Sequence, residues 1–381
     1  MTGQELGEEA ELIDSQCRGT VIAVQANFYQ VRLHSDHKTF NSQLPCDQDI
    51  LSTLLCTRRS RLKKMGQTVM VGDQVILSDP DWTSGRGAIT EVLPRRTELD
   101  RPAIANVDQI LLIFAVAEPD LDVHQLSRFL VKAESTGLGV TLCLNKCDLV
   151  SSEQLDHWQQ RCQQWGYAPI LISVEQGIVA ETGKPLTALQ ERLQDKITVV
   201  AGPSGVGKSS FINQLIPTAH LRVSAVSGKL GRGRHTTRHV ELFELPMGGL
   251  LADTPGFNHP HLDCLPEALV SYFPEARHRL QVGCCQFSNC LHREEPNCMV
   301  RGDWERYQYY LDLLAEVMAE AEKLQEQGEI ESGSKSKVKQ GGKRHNEPKL
   351  EAKKYRRVSR RVQHQDLENL CRDVDFIDLH D

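Results

Sequence analysis

Short runs alternating apolar and polar residues occupy residues 17 to 96: Gly19–Val24, Phe28–Leu33, Thr68–Leu77 and Gly87–Leu93. A period of two, punctuated by Gly, Asp and Asn, predicts short strands closing into a small β-barrel. Arg58, Arg59, Arg61, Lys63 and Lys64 lie between two of these runs and read as a basic loop on it. From residue 97 the pattern changes. Gln109–Ala117, Val140–Asn145, Pro169–Val174 and Ile197–Gly202 are nearly continuous apolar runs, the signature of buried strands. His124–Gly137, Leu155–Gly166 and Leu186–Asp195 between them carry helical spacing. Strands alternating with helices predict a parallel sheet, whose ligands bind where the strands end. Farther on, Leu265–Leu280 and Asp303–Gln327 read as helices. Gly333–Arg361 is rich in Lys, Arg and Gly and poor in large apolar residues, which predicts disorder.

Three motifs fall where the strands give way to loops. Gly202-Pro203-Ser204-Gly205-Val206-Gly207-Lys208-Ser209, followed by Ser210, joins a strand to a helix. Consecutive N–H groups in such a turn form an anion trap, and the glycines permit its dihedrals. Lys208 reaches the β- and γ-phosphates and Ser209 suits Mg²⁺. Asn145-Lys146-Cys147-Asp148 follows an earlier strand. Asp148 accepts hydrogen bonds from guanine N1–H and its exocyclic amine, Asn145 holds the base edge and loop, and the Lys146 stem packs along the ring. Ser173 is a candidate for a backbone contact to the base. Asp253-Thr254-Pro255-Gly256 supplies a carboxylate to Mg²⁺ through water and, from Gly256, an N–H to the γ-phosphate. An ordinary GTPase places its base-reading motif last. Here it comes first, so the domain is circularly permuted.

Phe257 stands where many GTPases carry the glutamine that orients the attacking water. His235, on a Gly-rich segment beside Thr236 and Thr237, is the alternative water-positioning group; a solvated loop histidine is the plainer reading. Either threonine suits the switch role on Mg²⁺ and the γ-phosphate; Thr237 and Lys208 join His235 as the catalytic set.

The formal net charge is -7, so contact with nucleic acid must be local: the basic run at 58–64 and the tail at 335–361. No apolar run reaches membrane-span length, and the acidic N-terminal residues resemble neither a secretory signal nor a transit peptide. A cytoplasmic address and no membrane partner follow as expectations. Of 12 cysteines, Cys284, Cys285, Cys290 and Cys298 cluster. Cys285-x4-Cys290-x-His292-x5-Cys298 is a donor set for a closed, structural Zn²⁺ site.

The motifs RPAIANVDQILLIFA, NKCD, GPSGVGKSSFIN, GRGRHTTRH, LLADTPGF and CQFSNCLHREEPNC, in that order, make the chain resemble the ribosome small-subunit-dependent GTPase A (RsgA/YjeQ) family over roughly residues 17–325. The resemblance implies a multidomain α/β protein: an N-terminal OB-fold barrel (17–96), a circularly permuted P-loop GTPase (97–258) and a C-terminal zinc-binding helical domain (259–330); the acidic leader (1–16) and the basic, then acidic tail (331–381) depart from the family's pattern. It implies GTP/GDP, Mg²⁺ and one Zn²⁺ as cofactors, the small ribosomal subunit and its rRNA as partners beside other assembly factors, and hydrolysis stimulated by the subunit. It also assigns His235 to the missing glutamine's role. A monomer is expected. Two other readings stay open: an RNA-binding assembly factor in which nucleotide sets conformation and hydrolysis is incidental, and an ATP-using P-loop kinase. The chain after Asp253 leads into the zinc region, so a γ-phosphate-dependent shift there would move that region against the barrel.

Overall fold

The computed structural model describes residues 17–34, 52–100, 102–176, 187–219, 240–253, 261–331, 334–338 and 344–348. The chain divides into two units, Met1–Leu314 and Ala315–Asp381.

Strands β1 (Cys17–Gln25), β2 (Phe28–Leu33), β3 (Thr53–Arg58), β4 (Gln74–Asp81) and β5 (Arg86–Val92) close a barrel in the order β1-β2-β3-β5-β4. All pairings are antiparallel except β3 with β5. This is the five-stranded Greek-key topology of an OB-fold. Alternate residues point inward, so Val21, Val31, Leu54, Val75 and Ile89 are fully buried. The apolar runs read from the sequence correspond to four of the strands. The additional strand, β3, has the same alternation, with Leu54 and Cys56 inward and Leu55 outward.

The basic run is not a loop. Ser60–Lys64 forms a short helix, α1, because Leu62 plugs the barrel core and Gly66, at φ 70°, ends the turn. Two of its five cations serve the barrel itself. Arg58 donates to the Gln67 carbonyl (2.6 Å), and Arg59 pairs with Asp79 and with Ser78 Oγ. Arg61, Lys63 and Lys64 are exposed.

A two-stranded hairpin, β6 (Glu98–Asp100) with β7 (Ala103–Ala105), leads into the second sheet. That sheet has the order β10-β9-β8-β11-β13-β12, formed by β8 (Gln109–Ala115), β9 (Gly139–Asn145), β10 (Ile170–Leu171), β11 (Ile197–Ala201), β12 (Leu242–Glu244) and β13 (Leu250–Asp253). Only β12 runs antiparallel to its neighbour. β8 is buried along its whole length, as expected of a strand covered on both faces. Helices α2 (Val123–Glu134), α3 (Ser152–Gln164), α4 (Thr187–Leu193) and α5 (Lys208–Leu215) make the connections. Asp122 caps α2 by accepting from the Gln125 N–H (2.9 Å), and Ser151 with Gln154 forms a capping box on α3. The Pro169–Val174 run contributes only Ile170 and Leu171 to the sheet.

The predicted helix over 265–280 is broken. A 3₁₀ turn, Leu269–Tyr272, stops at Phe273, and helix α6 (Pro274–Val282) starts anew. The residue before a proline is pushed out of the helical region, and Phe273 sits extended at φ -110°, ψ 111°. Helix α7 (Tyr307–Glu331) follows. In the second unit, β14 (Ser334–Val338) pairs antiparallel with β15 (Arg344–Pro348), so a short ribbon stands where the composition predicts disorder. The rest of the tail and the acidic leader lie outside the described residues. Among the described residues, no helix is long and apolar enough to cross a membrane.

Candidate nucleotide site and metal centre

The phosphate loop, the base-reading loop and Asp253 leave the same end of the parallel sheet. The phosphate loop follows β11, Asn145 ends β9, and Asp253 ends β13 directly opposite Val200 of β11. The phosphate loop needs glycine at two places on geometric grounds. A Cβ on Gly202 (φ 146°) would lie 2.1 Å from the Ile113 carbonyl oxygen. One on Gly207 (φ 96°) would lie 2.5 Å from Asn145 Nδ2. Pro203, Ser204, Gly205 and the buried Val206 complete the turn. Lys208 opens α5, and its ammonium donates to the carbonyls of Gly202 (2.9 Å) and Pro203 (2.5 Å). Burial lowers the Lys208 pKa, and the nearby Asp253 carboxylate opposes that shift. Ser209 and Ser210 occupy the first turn of α5 and are half-buried.

Asn145 is 1 % exposed and ties the two loops together. Its Nδ2 donates to the Val206 carbonyl of the phosphate loop (2.8 Å), and its Oδ1 accepts from the Val174 N–H (3.2 Å). Its side chain thereby braces both loops. Lys146 adopts a left-handed conformation, φ 64°, and its ammonium donates to the Glu118 carbonyl. Asp148 is exposed at the loop, and the buried Ser173 hydroxyl donates to it (2.5 Å). Ser173 therefore meets the Asp148 carboxylate through its side chain, a contact that the sequence reading did not anticipate. Asp148, Ser173 and the phosphate loop are brought together by the fold. His235, Thr236, Thr237 and Gly256 lie outside the described residues.

The ligand atoms of Cys285, Cys290, His292 and Cys298 all lie within 4.8 Å of one another. His292 turns Nδ1 toward the sulfurs, 3.5 Å from Cys285 Sγ and 3.3 Å from Cys298 Sγ. Three soft thiolates and one imidazole fit a tetrahedral Zn²⁺ and leave no position for substrate. Cys284 is exposed and lies outside the cluster. The loop is pinned from behind: Tyr307 donates to the His292 carbonyl and Tyr310 to the Leu291 carbonyl, both at 2.8 Å.

A second aromatic set, Trp165, Tyr167 and Phe273, frames a buried cation. Arg306 is 0 % exposed and meets both oxygens of Glu275 (2.6 and 2.5 Å). Its guanidinium lies 5.1 Å from the Trp165 ring, 5.6 Å from that of Tyr167 and 5.0 Å from that of Phe273. Glu305 accepts from Trp165 Nε1 (2.8 Å) and pairs with Arg161, while Arg277 pairs with Glu134 (2.7 Å). These contacts clamp the Cys3His region onto the C-terminal ends of α2 and α3.

Fold and site together define a circularly permuted P-loop GTPase attached to an OB-fold and a Cys3His region. The family description "RsgA GTPase" matches residues 92–263. A small ribosomal subunit biogenesis GTPase RsgA from Trichormus variabilis is 60% identical over 364 residues, covering 93% of this chain and 97% of that protein. The crystal structure of YloQ, a circularly permuted GTPase, superposes with a TM-score of 0.62 at 30% identity, covering 80% of this chain and 96% of that one. YjeQ from Thermotoga maritima gives a TM-score of 0.63 at 29% identity, with coverage of 80% and 99%. The chain belongs to the RsgA GTPase family, and it is a GTPase.

Proposed function

We propose that the protein hydrolyses GTP to GDP and phosphate on the small ribosomal subunit, late in that subunit's maturation in the cytoplasm, and that subunit binding triggers turnover. The observation that carries the site assignment is Asn145, one buried side chain bridging the phosphate loop and the base-reading loop. The Trichormus relative's name supports the subunit as partner. The barrel and its exposed Arg61, Lys63 and Lys64 offer rRNA a cationic, sequence-tolerant contact. In this reading, residues 17–96, 97–258 and 259–330 act as RNA-binding, GTPase and zinc-binding domains of a monomer.

The roles follow from the donors present. Glycine-loop N–H groups and Lys208 bind the phosphate oxygens and balance charge as the γ-phosphoryl group leaves. Ser209, Asp253 and a threonine, Thr236 or Thr237, are oxygen ligands of the kind Mg²⁺ takes, directly or through water. Held by these residues, Mg²⁺ would supply charge neutralisation to the phosphate oxygens. The Gly256 N–H meets the γ-phosphate. With Phe257 unable to position water, His235 takes that role.

The test is GTP turnover with and without purified small subunits, in wild type and His235→Ala. We expect subunit stimulation in wild type and its loss, by about 10²-fold or more, in the variant with subunit binding intact. A wild type that no subunit stimulates would favour the nucleotide-switched RNA-binding factor.

Base choice has its own test. Asp148→Asn replaces an acceptor with a group that also donates, opposite two guanine donors. GTP affinity should fall by about 10²-fold or more, while XTP, which carries a carbonyl in place of the amine, should gain. Competition binding with GTP, XTP and ATP reads this out; unchanged GTP preference would remove Asp148 from base recognition, and tighter ATP binding in wild type would favour the kinase reading.

A further inference from the structure

The barrel and the GTPase sheet share a strand edge. β1 pairs with β4 only from Cys17 to Thr20, and its register against β2 slips between Val21 and Ala23. Such a bulge turns a strand and re-aims its free edge. Beyond the slip, the edge that β4 has left is taken up by the GTPase region: Ala23 forms an antiparallel bridge with Glu241. Ile22 and Val24 pack, with Val240, against the core beneath the sheet, which includes Leu242 and Ala252. On the neighbouring strand, Arg32 of β2 pairs with Glu244 of β12 at 2.5 Å.

The position of this seam gives it meaning. Glu241 immediately precedes Leu242, which lies opposite Ala252 on β13, and Ala252 immediately precedes Asp253. The barrel therefore grips the sheet within a few residues of the carboxylate assigned to Mg²⁺. The zinc region, by contrast, is clamped to α2 and α3 on the base-reading half. A displacement originating at the barrel reaches the γ-phosphate side first, so the seam is a nearer route for coupling than a swing of the zinc region.

We propose that the β1–β12 seam, held in register by the Arg32–Glu244 pair, transmits occupancy of the barrel to the Mg²⁺ side of the GTP site, with Arg32 and Glu244 as positioning residues for the subunit-stimulated rate alone. This rests on the reading that the subunit stimulates turnover. The pair is half-exposed, so breaking it should cost little stability.

The experiment is a charge-reversal cycle on the full chain: Arg32→Glu, Glu244→Arg and the double exchange. Basal GTP turnover, subunit-stimulated turnover, subunit affinity and Tm are measured for each. Both single reversals should keep basal turnover and Tm and lose about tenfold of the stimulation at saturating subunit; the double exchange should regain most of it. Restoration in the double variant separates coupling from a lost RNA contact, because Glu244→Arg leaves the barrel surface unaltered. Stimulation equal to wild type in either single variant overturns the seam, as does a double exchange as deficient as the singles. A wild type without any stimulation takes down both this coupling and the subunit-triggered reading, which tells the two failures apart.

Discussion

Lys208→Met should keep its fold and lose turnover. The methionine retains most of the lysine's apolar stem and removes only the charged end. In the structure that end is held by the Gly202 and Pro203 carbonyls and sits near Asp253. Its burial pushes the pKa down, so the folded chain holds the proton less tightly than the unfolded one. The charge is thus a cost to the folded state that is fully present below the folded pKa, eases as pH rises through the window between the two pKa values and is gone above the unfolded one. Phosphate oxygens are the partner that repays this cost. Removing a preorganised cation of this kind lowers kcat by about 10²–10³-fold, and GTP affinity should fall with it. Tm without nucleotide should stay level or rise, the pattern of a group kept for function at the expense of stability. Single-turnover hydrolysis and thermal melts, with and without GTP, give both halves. Turnover within threefold of wild type would show that Lys208 is not the phosphate ligand.

How much of this was legible beforehand follows from where each signal lives. A phosphate loop announces itself because its glycines answer a local need: Gly202 and Gly207 face atoms 2.1 and 2.5 Å from any Cβ. The metal centre is equally local, its four donors lying within fourteen consecutive positions, Cys285 to Cys298. Strand edges and long-range pairs carry no such mark. Trp165 and Glu305 are 140 positions apart, and neither sits in a motif. Arg306 reads as one more surface cation near the start of an amphipathic helix, yet it is fully buried because Glu275 neutralises it and three rings enclose it. β3 was obscured by its fusion to a basic run, and α1 by the assumption that clustered charge means loop; the single inward Leu62 decides that turn. Ser173 was noticed for its backbone, but its hydroxyl makes the contact to Asp148.

Loss of the metal should be felt well beyond the metal loop. Cys290→Ala removes the most buried thiol of the cluster and leaves three ligands, so zinc content should fall from about one per chain toward zero. Free energies of roughly 10 kcal/mol accompany structural zinc binding, and in small regions that is folding free energy. Besides the metal donors, the loop is held by two tyrosine hydroxyls on the Leu291 and His292 carbonyls, by Glu295 accepting from the N–H groups of Leu291 and Arg293, and by Asn297 Nδ2 donating to Gln286 Oε1 (2.9 Å). Those tyrosines stack at 6.3 Å, and Tyr310 also packs on Phe273, a wall of the Arg306 cage. A loosened loop therefore admits water to a buried ion pair whose geometry depends on exclusion. Amide exchange should accelerate first across 284–301 and then across 273–282 and the turn carrying Trp165 and Tyr167, with strands β8 and β11 unaffected. GTP affinity should change little, because the site is built on the opposite end of α3 and on β11. Protection that survives zinc removal would mean that the aromatic cage, not the metal, holds this region together.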